Sequence, residues 1–400
     1  MRKIIVFVAA AVLLWCPKVL AEDVFLPSIV ARGTYDDNLF LDDQSDFELT
    51  LSPGLEFQRN TAQGSLSLSG QADVFAYLDH DEYERVNQRY ALSSSYAANE
   101  DVILGFNAGF QVDHTFLEQL EETGEVTDKE RRYRFNAQPS LTWMLSSRTQ
   151  LYVGINAGAT DYDEEREDNR DSTSYGTTLV LTRQWSPILD VFGRLSVSRS
   201  ELDDERIDFG SVVFEETDFV QDTVQASLGV DYEYTENLTL SFSGGGSLTR
   251  TQYDQTLNDV FIEEKDDDTS GFILDAGLTW QQETRSVSLS YSRSLTQDAD
   301  GESLNRDRLS ASLNWDLSER LNANLRGSFV NSQSVEDEEG VDDVDTQRYV
   351  GGTGMSYELT DNSDLGLHYS YTYVDDKADD ETDERNRVWL QYRYQFPYFM

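Results

Sequence analysis

Three histidines are the only candidates for general acid–base chemistry near neutral pH. His80 sits in Asp79-His80-Asp81, His114 follows Asp113, and His368 lies on the polar parity of an alternating stretch. A hydrolase built on barrel loops needs such a His next to a Ser or carboxylate partner. Carboxylates crowd these loops, so a His beside an Asp arises from composition alone, and no catalytic residue is assigned. Two acidic runs, Asp163-Glu164-Glu165 and Asp266-Asp267-Asp268, carry oxygen ligands of the kind that hold divalent cations. Neither has the Gly and closing Glu of a helical-hand calcium loop. They read as solvated, self-repelling surface, with cations shared with lipopolysaccharide as an intermediate case. No metal site and no cofactor is assigned. Gly244-Gly245-Gly246 lies within a strand pattern and reads as a bulge or close backbone contact, not a phosphate loop.

A larger charged set shares one strand parity. It comprises Arg32, Arg85, Arg89, Arg132, Arg134, Arg194, Arg306, Arg308, Arg326, Arg348, Arg387 and Arg393. Glu48, Glu56, Asp73, Asp190, Asp231, Asp275, Asp316 and Glu358 lie on the same parity. Two readings stay open: a charged pore wall that guides a solute, or cross-strand ion pairs that brace a wide barrel.

The elements that carry these residues follow from alternation. In the closing stretch Val388, Leu390, Tyr392, Tyr394 and Phe396 share one face, and Arg387, Trp389, Gln391, Arg393 and Gln395 share the other. The pattern recurs in about eighteen segments of roughly ten to thirteen residues, the size of tilted membrane strands. Connections alternate in kind. Tight hairpins are expected at Asn60-Thr61-Ala62-Gln63, Ala97-Ala98-Asn99-Glu100, Ser146-Ser147-Arg148, Ser186-Pro187-Ile188, Thr235-Glu236-Asn237, Gln282-Glu283-Thr284, Ser318-Glu319-Arg320 and Thr360-Asp361-Asn362-Ser363. Long acidic connections are expected at Asp161–Asp171, Glu201–Asp218, Arg250–Asp268, Val335–Asp345 and Asp375–Glu384. Short turns on the periplasmic side and long loops outside are the plan of an outer-membrane barrel, and both chain ends then share the periplasmic side. The apolar parity carries two aromatic girdles. Phe57, Tyr96, Trp143, Trp185, Tyr232, Trp280, Trp315 and Tyr357 precede the short turns, and Tyr35, Tyr133, Tyr175, Tyr291, Tyr349 and Tyr373 stand near the long loops. The fold class is all-β: a transmembrane antiparallel up-and-down barrel of about eighteen strands.

Composition agrees. A net charge of −44 would suggest disorder, but 21 Tyr and 20 Phe against only 6 Pro argue for a folded chain. The same charge excludes a nucleic-acid partner. Residues 1–21 read as a signal peptide: basic Arg2 and Lys3, apolar Ile4–Leu14, and the cleavage site Val19-Leu20-Ala21. The only Cys, Cys16, lies within it, and Trp15 before it argues against lipidation. Residues 22–400 are then the barrel domain.

At Tyr35-Asp36-Asp37-Asn38-Leu39-Phe40, followed by Ser45-Asp46-Phe47 and Leu51-Ser52-Pro53-Gly54-Leu55, the chain resembles the putative beta-barrel porin 2 family. Members are often encoded near exopolysaccharide biosynthesis genes. The resemblance therefore implies an outer-membrane, Gram-negative, porin-like channel serving exopolysaccharide export, and it carries over no catalytic residue. The implied partners are outer-membrane lipid and lipopolysaccharide, the barrel assembly machinery and a polysaccharide. The tail departs from an ordinary barrel end, because Pro397-Tyr398-Phe399-Met400 follows Phe396. The alternatives are a non-conducting surface-interaction barrel with acidic loops, or, less favoured, a loop-borne hydrolase. The sequence is read as a non-enzyme.

Overall fold

The chain is described by a computed structural model. The structure describes residues 22–400 apart from 42, 116–129, 164–170, 209–212, 258–259, 298–302, 336–344, 378–380, 397 and 400. The signal segment 1–21 lies outside the described residues.

Eighteen long antiparallel strands form one closed sheet. They are β1 (Glu22–Asp36), β2 (Asp46–Thr61), β3 (Gly64–Tyr77), β4 (Arg85–Ala97), β5 (Val102–His114), β6 (Arg131–Ser146), β7 (Thr149–Tyr162), β8 (Asp171–Ser186) and β9 (Leu189–Asp208). The other half is β10 (Val213–Thr235), β11 (Leu238–Leu257), β12 (Val260–Gln282), β13 (Arg285–Gln297), β14 (Ser303–Ser318), β15 (Leu321–Ser334), β16 (Asp345–Thr360), β17 (Ser363–Asp376) and β18 (Glu381–Gln395). Each strand pairs with its sequence neighbours, and β1 pairs with both β2 and β18. Closure removes every sheet edge, which lets strands cross a bilayer with their backbone groups satisfied. A two-residue strand, β19 (Tyr398–Phe399), follows Pro397 and pairs with Val24 and Phe25 of β1. The unusual tail thus extends the closing seam.

The parity expected from sequence appears in the exposures. Leu49, Leu51 and Leu55 of β2 are exposed, while Glu48, Thr50 and Ser52 between them are buried. The girdle residues Trp143, Trp185 and Tyr357 on one side, and Tyr35, Tyr175 and Tyr349 on the other, are exposed with them. The hairpin turns fall at the expected positions, seven of two residues and one, 98–101, of four.

Strand length departs from expectation. The strands run from 13 residues in β4 to 23 in β10 and β12. The segments 201–218 and 250–268, expected as loops, are strand except at 209–212 and 258–259, which lie outside the described residues. The β10–β11 ladder continues from Asp222↔Arg250 out to Glu215↔Leu257. Loss of apolar alternation marks the edge of lipid and not the end of a strand. Beyond that edge the outer face meets water, and polar residues extend the ladder.

The parity has a direct test. Leu104 of β5 is 44% exposed and sits across from Tyr96 and Leu141. Leu104→Arg is expected to destabilise the barrel by about 2–4 kcal/mol. Asn107→Arg, on the opposite parity, is expected to be far better tolerated. Reversible urea unfolding in lipid vesicles measures both; equal losses would mean the register is wrong.

Candidate functional site

The motif Asp36-Asp37-Asn38-Leu39-Phe40 leaves β1 and clasps β18, the strand that closes the barrel. The Arg385 Nε donates to both Asp36 carboxylate oxygens at 3.0 Å, and each side chain is 4% exposed. Next to them the Asp37 carboxylate accepts from the Asn386 backbone N–H at 2.6 Å and from its Nδ2 at 2.8 Å. Asn38 donates its Nδ2 to the Glu384 carbonyl at 2.8 Å and accepts from the Asp43 N–H at 2.8 Å. Every polar residue of the motif therefore has a partner.

The clasp holds the β1–β2 loop against the inner wall. Leu39 and Phe40 are 2% and 1% exposed and pack on Phe75 and Tyr77, with Tyr83 alongside. The loop backbone is left-handed at three non-glycine residues, Phe40 (φ 58°), Leu41 (φ 66°) and Asp43 (φ 55°). Such conformations cost about 1–3 kcal/mol each and persist only where surrounding contacts enforce them. The clasp and the apolar seat supply those contacts. On the far side of the loop, Asp46 accepts from the backbone N–H of His80 at 3.1 Å and lies 3.0 Å from its Nδ1.

A charged chain continues below the loop. Arg32 donates to Glu48 at 3.1 Å and to Thr50 at 3.2 Å, Tyr77 donates its hydroxyl to Glu48 at 2.9 Å, and Arg85 donates to the Tyr77 hydroxyl at 2.9 Å. The Arg85 guanidinium also lies 4.3 Å from the centre of the Phe75 ring. Around the wall, Arg89 pairs with Asp73 at 2.9 Å. Asp113, fully buried, accepts from Arg132 Nε at 2.8 Å, Arg134 Nη2 at 2.6 Å and Gln111 Nε2 at 2.8 Å.

The remaining arginines divide. Arg393 lies 4.0 Å from Asp364, Arg306 donates to Ser332 at 3.3 Å, and the Arg194 guanidinium stands 5.8 Å from the Phe192 ring centre. Arg348 stands across from Val330 and Val374, and Arg387 across from Ser370 and Asp36. Among the described residues, Arg308 and Arg326 make no ion pair, and both are exposed. Of the acidic set, Asp275 accepts from Ser243 at 3.0 Å and Glu56 from Gln58 at 2.7 Å, while Asp190 and Asp231 face each other across β9 and β10. Arg385 was not anticipated. It shares parity with Arg387, but the acidic stretch before it disguises the start of β18.

The histidines are engaged in structural contacts. His80 binds Asp46, the His114 Nδ1 lies 3.0 Å from the Asn87 side-chain Oδ1, and His368 stacks on Trp389. Glu164 and Glu165 lie outside the described residues, Asp163 and Asp268 are exposed, and Asp266 and Asp267 fall within β12. Among the described residues no group of three metal-ligating side chains converges.

Inside the wall from β1 to β8 lies a cavity of about 840 Å³. Gln71, Arg89, Asn107, Gln111, Arg134, Asn136, Thr160 and Ser174 line it. These groups donate and accept hydrogen bonds; two carry positive charge, and Glu56, which also lines the cavity, carries a negative one. The cavity suits a hydrated, hydroxyl-rich solute.

The sequence model of the putative beta-barrel porin 2 family matches residues 24–396, nearly the whole chain. The chain belongs to that family. Its location is the outer membrane, and its fold is the porin-like barrel of that family. Among solved structures, the ferric citrate transporter FecA in its unliganded form superposes with a TM-score of 0.56 at 10% identity, over 95% of this chain and 79% of that one. The ferric-catecholate import receptor Fiu from E. coli K12 gives 0.52 at 10% identity, over 92% and 81%. The siderophore receptor PiuA from Acinetobacter baumannii gives 0.51 at 11%, over 93% and 82%. At such identities the likeness is one of fold. No curated protein matches the chain.

Proposed function

We propose that this family member is an open outer-membrane channel for hydrophilic solutes, with extracellular polysaccharide as its cargo. One observation carries the channel reading. Among the described residues, the clustered buried apolar side chains are Leu39, Phe40, Phe75 and Tyr77, gathered at one side of the mouth. Elsewhere the inward parity carries mainly Ser, Asn, Gln, Gly and charge, and its scattered apolar residues, Phe192, Val330, Val374 and Trp389 among them, do not gather into a dry core. An eighteen-strand barrel without an apolar filling is wide enough for water. The polysaccharide assignment draws on the family resemblance and on the hydrogen-bonding lining of the cavity. Single-channel recording in planar bilayers tests the channel reading, and stable currents are expected. Their absence would favour a non-conducting barrel, a reading to which the inward, clasped β1–β2 loop lends support.

Ion selectivity supplies a finer prediction. Exposed carboxylates such as Asp163 and Asp268 are screened over about 8 Å at physiological salt, whereas charges inside a protein-walled lumen are screened less. Low salt is expected to favour cations, and high salt to weaken that preference. Arg308 and Arg326 are exposed candidates on the wall that, among the described residues, make no ion pair and stack on no ring; Arg134 is held by Asp113. The double change Arg308→Gln with Arg326→Gln is expected to raise cation preference at high salt and leave low-salt behaviour nearly unchanged. Reversal potentials across a salt gradient read this, and identical values at high salt would remove both arginines from the ion path.

A further inference from the structure

The wall beside the closing seam carries an aromatic feature with no partner role in the clasp. Across β16, β17, β18 and β1 the register aligns Gly354, His368, Trp389 and Thr34 in one row. All four lie on the inward parity. The His368 and Trp389 rings stack with centroids 5.2 Å apart and planes 15° from parallel. Two glycines make room for this. A methyl at Gly354 would come within 2.2 Å of the His368 Nδ1, and one at Gly366 within 2.6 Å of its Nε2. His368 therefore lies flat on the wall, and Trp389 rests against it as a planar, half-buried surface. In the next row toward the mouth, Arg326 leans across Gly352 toward β17: a methyl there would meet the Arg326 Nε at 3.0 Å. Arg326 is exposed and makes no ion pair. Two further groups mark the place. The hydroxyls of Thr34, 6% exposed, and Ser370, 4% exposed, have no hydrogen-bond partner in the protein.

We propose that Trp389, backed by His368, is a stacking platform for a pyranose ring, and that Arg326 beside it selects saccharides bearing a carboxylate. A pyranose presents an apolar C–H face and a rim of hydroxyls. The C–H face packs on the electron-rich face of an indole, the rim takes hydrogen bonds, and a guanidinium fork fits a carboxylate in bidentate fashion. This arrangement is a flat ring and one uncommitted arginine, beside two buried hydroxyls that lack a protein partner. It differs from the ion-paired arginines elsewhere on the wall, whose donors are already engaged. The assignment deepens the channel reading and rests on it for its role in transport, but binding itself does not require conduction.

The test is calorimetric titration of the full-length barrel in detergent with hexagalacturonate and, as a length-matched neutral probe, maltohexaose. Wild type is expected to bind hexagalacturonate more tightly. Trp389→Ala is expected to weaken both about three- to ten-fold. Trp389→Phe should recover most of the loss, which a merely damaged β18 would not. Arg326→Gln should weaken hexagalacturonate and leave maltohexaose unchanged. Unboiled gel mobility checks that each variant is folded. Failure of wild type to bind either probe, or binding that Trp389→Ala leaves intact, overturns the proposal. Planar-bilayer currents from the same preparations judge the channel separately, so a conducting barrel that binds no saccharide would sink this inference alone.

Discussion

Arg385→Ala is expected to destabilise the barrel by about 3–5 kcal/mol, the cost of leaving a buried carboxylate without its ion partner. Asp36 and Arg385 are each 4% exposed, so the stranded charge has little access to water. The loss also removes the anchor next to Asp37–Asn386 and Asn38–Glu384. The β1–β2 loop, left-handed at Phe40, Leu41 and Asp43, then loses part of what enforces its shape. Two readouts follow. Urea unfolding in vesicles gives the stability, and open-channel noise reports motion of the loop at the mouth. Adding Asp36→Asn to Arg385→Ala is expected to cost less than the two separate losses combined, because the second change removes a charge that the first had orphaned. Strict additivity would show that the two residues do not act as a pair.

Asp113→Ala is expected to lose a similar amount, about 3–5 kcal/mol, by a different route. One fully buried carboxylate accepts from Arg132, Arg134 and Gln111. Without it, two neighbouring guanidiniums of one strand lose the buried carboxylate they share, and their mutual repulsion rises. Arg132 is itself 4% exposed at its side chain, so water relieves little of that repulsion. The contrast is Glu201→Gln. That carboxylate pairs with Arg199 at 3.2 Å, but both side chains are more than a third exposed, and the change is expected to cost at most about 1 kcal/mol. The same urea unfolding compares them. An Asp113→Ala midpoint close to that of Glu201→Gln would mean that the arginines on β6 are braced by other partners.

The chain's own order of residues determined the membrane-facing parity, the hairpin turns and the girdles. Each is local: a strand repeats every two residues, a two-residue turn has its own chemistry, and the bilayer imposes an apolar stretch of fixed height. Arg89 and Asp73 could be placed on one face in the same way. Their pairing, and that of Arg132 and Arg134 with Asp113, depended on the stagger between neighbouring strands, which alternation does not contain. The tertiary structure alone decided three things. It extended β9 to β12 past the lipid, because polar ladders carry no hydrophobic signal. It brought Asp36 to Arg385, residues 349 apart in the chain, because only closure of the sheet puts β1 beside β18. It also laid Trp389 on His368 over glycines from two strands, a contact fixed by three-strand register and by the missing Cβ atoms beneath it.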